Sequence, residues 1–529
     1  MFENDSSQNE NKSLVKPFIN KLNLLSKNSI IVLVVISLIG LSIRLYYLPY
    51  NLPVTLDGSG YFWYAMDLSI LGHFPTTYTF PNNGWPTFLS VFFYFFHSEN
   101  FLDYMNLQRL LSVIISTLTI IPTYLLCSRF FKNYYAIVGA AIIAFEPRLV
   151  QNSLLGLPES LFILLGTTAL FLFLSKSYKI IYVAFAVAAL FALIRYEGIL
   201  LMISFSLIFF MRFRKEKNVI LKYLLAISIF IIVLLPMMHI RTETIGHDGL
   251  VSNVVAVPQY YQTTSQQSEN SYNTLFNFIK TGFINLVKYL GWIMIPSFLI
   301  FVPYGAIMIF KNRDYKNVTI ILTAIVFLLP AFYAYSRGIQ EIKYLYVLFP
   351  MFCILSCFTV EKLNKKINKP NMIVGILFSG IILSSLVFLD FKKIDYELEM
   401  EIFSISKEVV KKVSVVNDYY PETKYLDSAI LADVPFPILR AGGPKDVKII
   451  ETANFNSLGD FLDFGKEKDL THIVIDENEN HPLFLRDIFY NESEYPYLTK
   501  IYDSRENGFS YQLKVFKIDY EEFDLFKNR

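Results

Sequence analysis

RLLSVIISTLTIIPTYLLCSRFFKNYYAIVGAAIIAFEPRLVQNSLLGLPES, residues Arg109–Ser160, holds two apolar runs whose flanking charges are sorted by sign. The connection after Cys127 carries Arg129 and Lys132, and the one after Phe145 carries Glu146 and Glu159. Long apolar runs joined by short connections suit helices across a hydrocarbon core of ~30 Å. Short cytoplasmic loops retain Lys and Arg. The first connection is therefore expected to face the cytoplasm and the second the outside.

The same alternation extends in both directions. Basic loops carry Lys176/Lys179, Arg212/Arg214/Lys215/Lys217, Lys311/Arg313 and Lys362/Lys365/Lys366/Lys369. The opposite loops carry Asp57, Glu197, Glu243, Asp248 and Glu341. Repeated carboxylates on one membrane face point to a shared chemical purpose there.

Composition agrees. Of 529 residues, 54% are hydrophobic and only 17% charged, against about 25% charged in ordinary soluble domains. The net charge of +2 comes without a basic patch suited to nucleic acid. The three cysteines, Cys127, Cys353 and Cys357, lie in or beside apolar runs, too few for a disulfide scaffold. The polar start, with Lys12, Lys16, Lys21 and Lys27, precedes a full-length apolar run and shows no small-residue cleavage site. The N-terminus is expected to stay inside.

Eleven spans are expected: Ile30–Leu48, Leu107–Cys127, Tyr134–Phe145, Leu157–Leu174, Ile180–Ile194, Ile199–Met211, Val219–Met238, Leu286–Phe310, Val318–Tyr335, Tyr344–Val360 and Met372–Leu389. The run Trp85–Phe96 is too short to cross, and counting it would invert every later loop against the positive-inside rule. It is expected as an interfacial or re-entrant helix, after an amphipathic helix at Tyr61–Leu71. The resulting organisation is a cytoplasmic tail at 1–28 and an all-α polytopic membrane domain at 29–394, with outer loops at 49–105 and 240–283. A soluble α/β domain follows at 395–529, on the outer face because the span count is odd. In that domain AILADV, VKII, THIVID and YQLKVFKI read as strands, LGDFLDF and PLFLRDIF as helices, with a terminal hairpin. Gly442-Gly443-Pro444 reads as a turn rather than a phosphate loop.

Four groups of residues could carry chemistry. Asp57 opens DGSGYFWYAMDL, where Gly58 and Gly60 allow a tight turn at the membrane face. The carboxylate could act as a general base or simply cap the following helix. Glu146, Arg148 and Glu159 share one outer loop, where they could assist Asp57, hold a divalent ion or neutralise a phosphate. An ordinary loop ion pair and a Pro-led helix start explain them equally well. Arg195 and Glu197 join two spans almost without a loop, so they either face a protein interior or sit at the interface. Arg337, Glu341 and Lys343 precede an aromatic span, and cations on the acidic face suit a lipid phosphate. Cations also flank many spans for no chemical reason.

The order of four stretches resembles the GT-C superfamily of integral membrane glycosyltransferases, above all the dolichyl-phosphate-mannose protein mannosyltransferase and aminoarabinose transferase-like group. They are DGSGYFWYAMDLSILGHFP, NNGWPTFLSVFFYFFH, the Arg109–Ser160 stretch and RGIQEIKYLYVLFP. The third also looks like oligosaccharyltransferase catalytic subunits, although their WWDYG-type signature is absent. The resemblance covers roughly residues 25–395. It implies an inverting transferase, hexosyltransferase-like, that uses a polyprenyl-phosphate-linked sugar donor. It implies Asp57 as catalytic base and Glu159 as the assisting or metal-binding acid. Tyr61, Arg148, Arg195, Glu197, Arg337, Glu341 and Lys343 are then the candidate substrate-binding residues. A divalent ion at Asp57 and Glu159 is the one cofactor in view. Many relatives place a second acid beside the first, where this chain has Gly58.

The leading expectation is a multi-pass glycosyltransferase of the plasma membrane that transfers a sugar to a glycan, protein or lipid acceptor outside. The expected partners are the lipid-linked donor, that acceptor and membrane lipids, with no nucleic acid. The absence of GxGxxG and P-loop sequences fits a donor without a nucleotide. The alternatives are a transporter or lipid flippase and a non-catalytic GT-C-like subunit. Charges gathered at one face, and halves without visible symmetry, count against transport.

Overall fold

Backbone polar groups in lipid must be satisfied within the segment, and the apolar runs accordingly fold as helices. A computed structural model describes residues 27–528 apart from 56, 77–81, 99, 253–270, 312–313, 368–369, 414–429, 433–447, 451–454, 469 and 478–480. Arg313, Lys369, the Gly442-Gly443-Pro444 turn and the Gln- and Ser-rich part of the second outer loop lie outside the described residues. The chain divides into two units. One comprises residues 1–48, 67–95 and 109–392, and the other 49–66, 96–108 and 393–529.

Six spans among the described residues are long and apolar enough to cross a membrane: Ser29–Tyr46, Phe101–Cys127, Tyr196–Phe213, Val219–Ile245, Tyr315–Ser336 and Ile342–Lys366. The bent pair Gly375–Phe391 and Tyr396–Val409 makes a seventh if counted as one. The expected count of eleven is not reached by this measure, because Tyr134–Phe145, Glu159–Phe173, Tyr178–Ile194 and Phe301–Lys311 are shorter apolar helices. The run Leu286–Phe310, expected as one span, is divided between helices Ser271–Ile293 and Phe301–Lys311. Pro296 lies between them and cannot continue a helical hydrogen-bond ladder. The Trp85–Phe96 run is the twelve-residue helix Gly84–Phe95.

The helix Asn133–Phe145 is the hub of this unit. Its Ala136, Gly139, Ala140, Ala141 and Ala144 are buried, and small residues let helix backbones approach closely. It packs on Lys27–Tyr46, Ile120–Cys127 and Phe349–Ile367. At Gly139 an added Cβ would lie 2.6 Å from the Cys127 sulfur and 3.2 Å from that of Cys357, so only glycine fits. Arg44 is fully buried, yet each of its three guanidinium nitrogens finds an acceptor: Ser116 Oγ at 3.1 and 3.3 Å, the Gly40 carbonyl at 3.0 Å and the Ala144 carbonyl at 2.8 Å. A buried arginine is tolerated on that condition.

The second unit is built on a five-stranded sheet of order β2-β1-β3-β5-β4, where β1 is Ile430–Ala432, β2 Lys448–Ile450, β3 His472–Asp476, β4 Leu498–Asp503 and β5 Leu513–Ile518. β1 runs parallel to β2 and β3, and β5 runs antiparallel to β3 and β4. Alternation along a strand sends neighbours to opposite faces. Leu513 and Val515 join Val474, Tyr502 and the helix Tyr396–Val413 in one apolar cluster. Phe516 and Ile518 join Ile473, Ile475 and residues of helices Leu458–Glu467 and Leu483–Tyr490 in another. The expected α/β class and terminal hairpin are present. β4 and the helix Tyr520–Lys527 were not anticipated. Leu52 belongs to the first cluster, with Leu102 packed against that cluster, so parts of residues 49–105 join this unit.

His472 in β3 faces Lys517 across the ladder, and burial together with that charge lowers its pKa to about 4. An unfolded histidine titrates near 6.5. The neutral ring therefore contributes stability above about 6.5, which is lost as pH falls toward 4. Hydrogen exchange of β3 amides in the full chain should show protection declining over that window, and His472→Asn should flatten the decline. Equal declines in both proteins would refute the assignment.

Candidate active site

Gly156 takes a left-handed φ of +70°, and Pro158 then leads into the helix Glu159–Phe173. Proline fits a helix start because the missing N–H has no helical acceptor there. Glu159 occupies the first turn, where the helix dipole favours a carboxylate. On a second strand of chain, the helix Tyr178–Ile194 stops at Arg195, whose backbone is extended (φ −144°, ψ 128°). A 3₁₀ turn, Tyr196–Leu200, follows. It requires Gly198, whose Cβ would stand 2.9 Å from the Ala192 Cα and from the Phe191 carbonyl oxygen.

These two turns bring three ionised groups together. Arg195 places one guanidinium nitrogen 2.5 Å from Glu159 Oε1 and another 2.9 Å from Glu197 Oε1, with Nε 3.4 Å from Glu197 Oε2. All three side chains are buried, at 3%, 7% and 8% exposure for Glu159, Arg195 and Glu197. The Arg195 guanidinium also lies 5.5 Å from the Tyr344 ring and 5.9 Å from that of Phe162, within cation–π range. Neither aromatic was singled out from the sequence, because a Phe or Tyr at helical spacing reads as core.

One arginine thus bridges two buried carboxyl groups. Lys343 lines the same small cavity, of about 20 Å³, roughly room for one water. Its ammonium pairs with Glu341 at 2.5 Å. Glu341 is half exposed, and exposed pairs are worth only about 0–1 kcal/mol.

A second cleft of about 220 Å³ adjoins the first through Glu197, Pro330 and Tyr344. Leu200, Leu329, Ile339 and Tyr333 line it, together with Arg337. Arg337 follows the helix Tyr315–Ser336, an end that favours a cation, and Gly338 turns the chain away with φ +81°. Its guanidinium lies 5.7 Å from the Tyr333 ring.

Not every expected residue gathers here. Arg148 donates to the Ile295 carbonyl and, at 2.8 Å, to the Trp292 carbonyl, while lying 4.8 Å from the Phe388 ring. It holds the end of the helix Ser271–Ile293 and lines neither cavity. Asp57 and Tyr61 belong to the second unit. Asp57 is the first residue of the helix Asp57–Leu71 and is exposed. The Gly58 carbonyl beside it accepts a bond from Gln108 at 3.0 Å. Among the described residues no group of three or more His, Cys, Asp or Glu side chains is arranged to hold a metal ion. At Glu159 the cationic partner is Arg195, so the donor set there does not fit a divalent ion.

The apolar spans and the small mixed sheet define a predominantly helical, multi-pass fold with a C-terminal α/β part. The chain is similar to the oligosaccharyltransferase of Archaeoglobus fulgidus, solved with zinc and sulfate (14% identity, 84% of this chain and 68% of that one, TM-score 0.56). It is similar to the same organism's AglB in complex with an inhibitory peptide and a dolichol-phosphate (13% identity, 88% and 70%, TM-score 0.52). It is also similar to ArnT of Cupriavidus metallidurans bound to undecaprenyl phosphate (10% identity, 93% and 98%, TM-score 0.57). At these identities the likeness is one of fold. No protein-family model matches the chain, and no curated protein matches it in sequence.

Removing Arg195 strands two buried carboxylates, a loss of about 3–5 kcal/mol for a broken buried pair. Arg195→Ala should lower the unfolding midpoint in lipid nanodiscs markedly, and Arg195→Ala/Glu159→Gln should recover part of it. A double variant no more stable than the single one would contradict the coupling.

Proposed function

We propose that this protein is a glycosyltransferase of the cell membrane that moves a sugar from a polyprenyl-phosphate-linked donor to an acceptor on the outer face. The observation that carries this reading is the apolar cleft that includes Arg337 and adjoins the cavity of Lys343. An amphiphile with a phosphate head and an isoprenoid tail matches that pairing. Apolar walls take the tail and two cations take the head, Arg337 as a planar fork and Lys343 as a point charge. The solved neighbours held with dolichol-phosphate or undecaprenyl phosphate support the same donor class.

In this reading Asp57 is the general base. It takes the proton of the acceptor hydroxyl or amine, and the acceptor atom attacks the anomeric carbon from the face opposite the phosphate. The bond between that carbon and the phosphate oxygen breaks, with inversion. Arg337 and Lys343 meet the charge left on the lipid phosphate. Arg195 holds Glu159 and Glu197 beside the cleft, so that the walls presented to the donor stay fixed. Tyr61 is assigned to the acceptor side, and Glu341 to the resting pair with Lys343. The acceptor is a protein, a glycan or a lipid. The N-terminus lies in the cytoplasm and the second unit's sheet domain outside.

Two variants separate the roles. Asp57→Asn should abolish sugar transfer, by roughly 10²–10⁴-fold for a lost general base, while undecaprenyl phosphate still binds to the purified chain. Arg337→Ala/Lys343→Ala should weaken that binding by on the order of 100-fold, the worth of two charge-assisted contacts. Full transfer by Asp57→Asn, or unaltered lipid-phosphate binding by the double variant, would overturn the reading.

A further inference from the structure

The segment Asn82–Trp85 is buried throughout, Asn82 at 8%, Asn83 at 3%, Gly84 buried and Trp85 completely covered. Three of its four residues touch the backbone beside the ionised cluster. Asn82 Oδ1 accepts the Tyr196 N–H at 3.0 Å. The Trp85 indole donates to the Gly156 carbonyl at 2.9 Å. Gly84 lies so close to Leu193 that a Cβ would stand 2.3 Å from its carbonyl oxygen and 2.6 Å from its carbonyl carbon. One short stretch thus meets both strands of chain that meet through Arg195 and Glu159.

Both polar groups need such a partner. Arg195 is extended, so the Tyr196 N–H that follows has left the helical ladder, and a buried N–H without an acceptor is costly. The Gly156 carbonyl lies ahead of the helix that begins at Glu159 and accepts the Trp85 indole N–H. We propose that Asn82, Gly84 and Trp85 form a positioning clamp that fixes the spacing between Glu159 and Arg195–Glu197, and with it the wall that Tyr196 and Glu197 give to the donor cleft. These are positioning residues. They act through the backbone and touch neither the charged side chains nor the substrate. The use of the clamp rests on the proposed function, whereas the clamp itself rests on the three contacts.

The test is hydrogen–deuterium exchange on the full chain in nanodiscs, with undecaprenyl phosphate binding measured on the same samples. Asn82→Ala should raise exchange across 194–199 about tenfold, the worth of one lost hydrogen bond, and leave 157–160 unchanged. Trp85→Phe should do the reverse, and Gly84→Ala should loosen both. Asn82→Asp keeps the acceptor oxygen and should restore protection at 194–199. The affinity for undecaprenyl phosphate should fall about tenfold in Asn82→Ala and return in Asn82→Asp. Unchanged exchange at 194–199 in Asn82→Ala, or equal loosening of the whole membrane unit by every variant, would overturn the clamp. Altered exchange with unaltered affinity would overturn its role in positioning the cleft. A wild-type chain that binds no lipid phosphate would remove the proposed function, and the exchange pattern would still decide the clamp.

Discussion

A guanidinium held between two carboxylates, away from water, is the constraint on which the membrane unit turns. Each of Glu159, Arg195 and Glu197 is nearly covered, so none can be left without its partners except at a cost of several kcal/mol. The chain must bring a helix start and a helix stop to one point. Pro158 and Gly156 set the start, and Gly198 permits the tight turn after the stop. The Phe162 ring stacks on that of Phe191 with centroids 3.9 Å apart, which packs the two helices against each other just behind the charges. Lys343 lines the same cavity. Electrostatics and packing agree on the geometry.

The same economy governs the other buried cations. Arg44 and Arg148 spend their donors on carbonyls and a hydroxyl, and so bind helices to one another. Arg195 spends its donors on carboxylates, and Arg337 is exposed at a helix end. Nothing in the local sequence separates these uses. FEPRLVQ and IRYEGIL each place an arginine two residues from a glutamate, and only the partners reached in space differ. A phosphate role was as plausible for Arg148 as for Arg337 on sequence grounds.

Much of the fold was nonetheless legible. The alternation of basic and acidic loops, and the length of the apolar runs, pointed to a helical membrane domain followed by an α/β domain, because both follow from solvent and period alone. The failures have physical reasons. Pro296 interrupts a run that hydropathy reads as continuous. LTKIYD, the edge strand β4, carries an exposed Thr499 and a half-buried, ion-paired Lys500 and so lacks a strand's apolar signature. Leu52 and Leu102 sit in what reads as loop, yet they join the apolar cluster of the second unit. Of the site, RYEG and the late cationic cluster could be named from sequence. Their meeting with Glu159, 36 residues from Arg195, could not, since side-chain contact across two turns leaves no periodic trace.

An electron cryomicroscopy map of the full chain in nanodiscs with undecaprenyl phosphate bears most directly on the central claim. The expected density places the phosphate against Arg337 and Lys343, with the isoprenoid tail along Leu200, Leu329 and Tyr333. Lipid density elsewhere on the protein, or a phosphate held by neither cation, would contradict it.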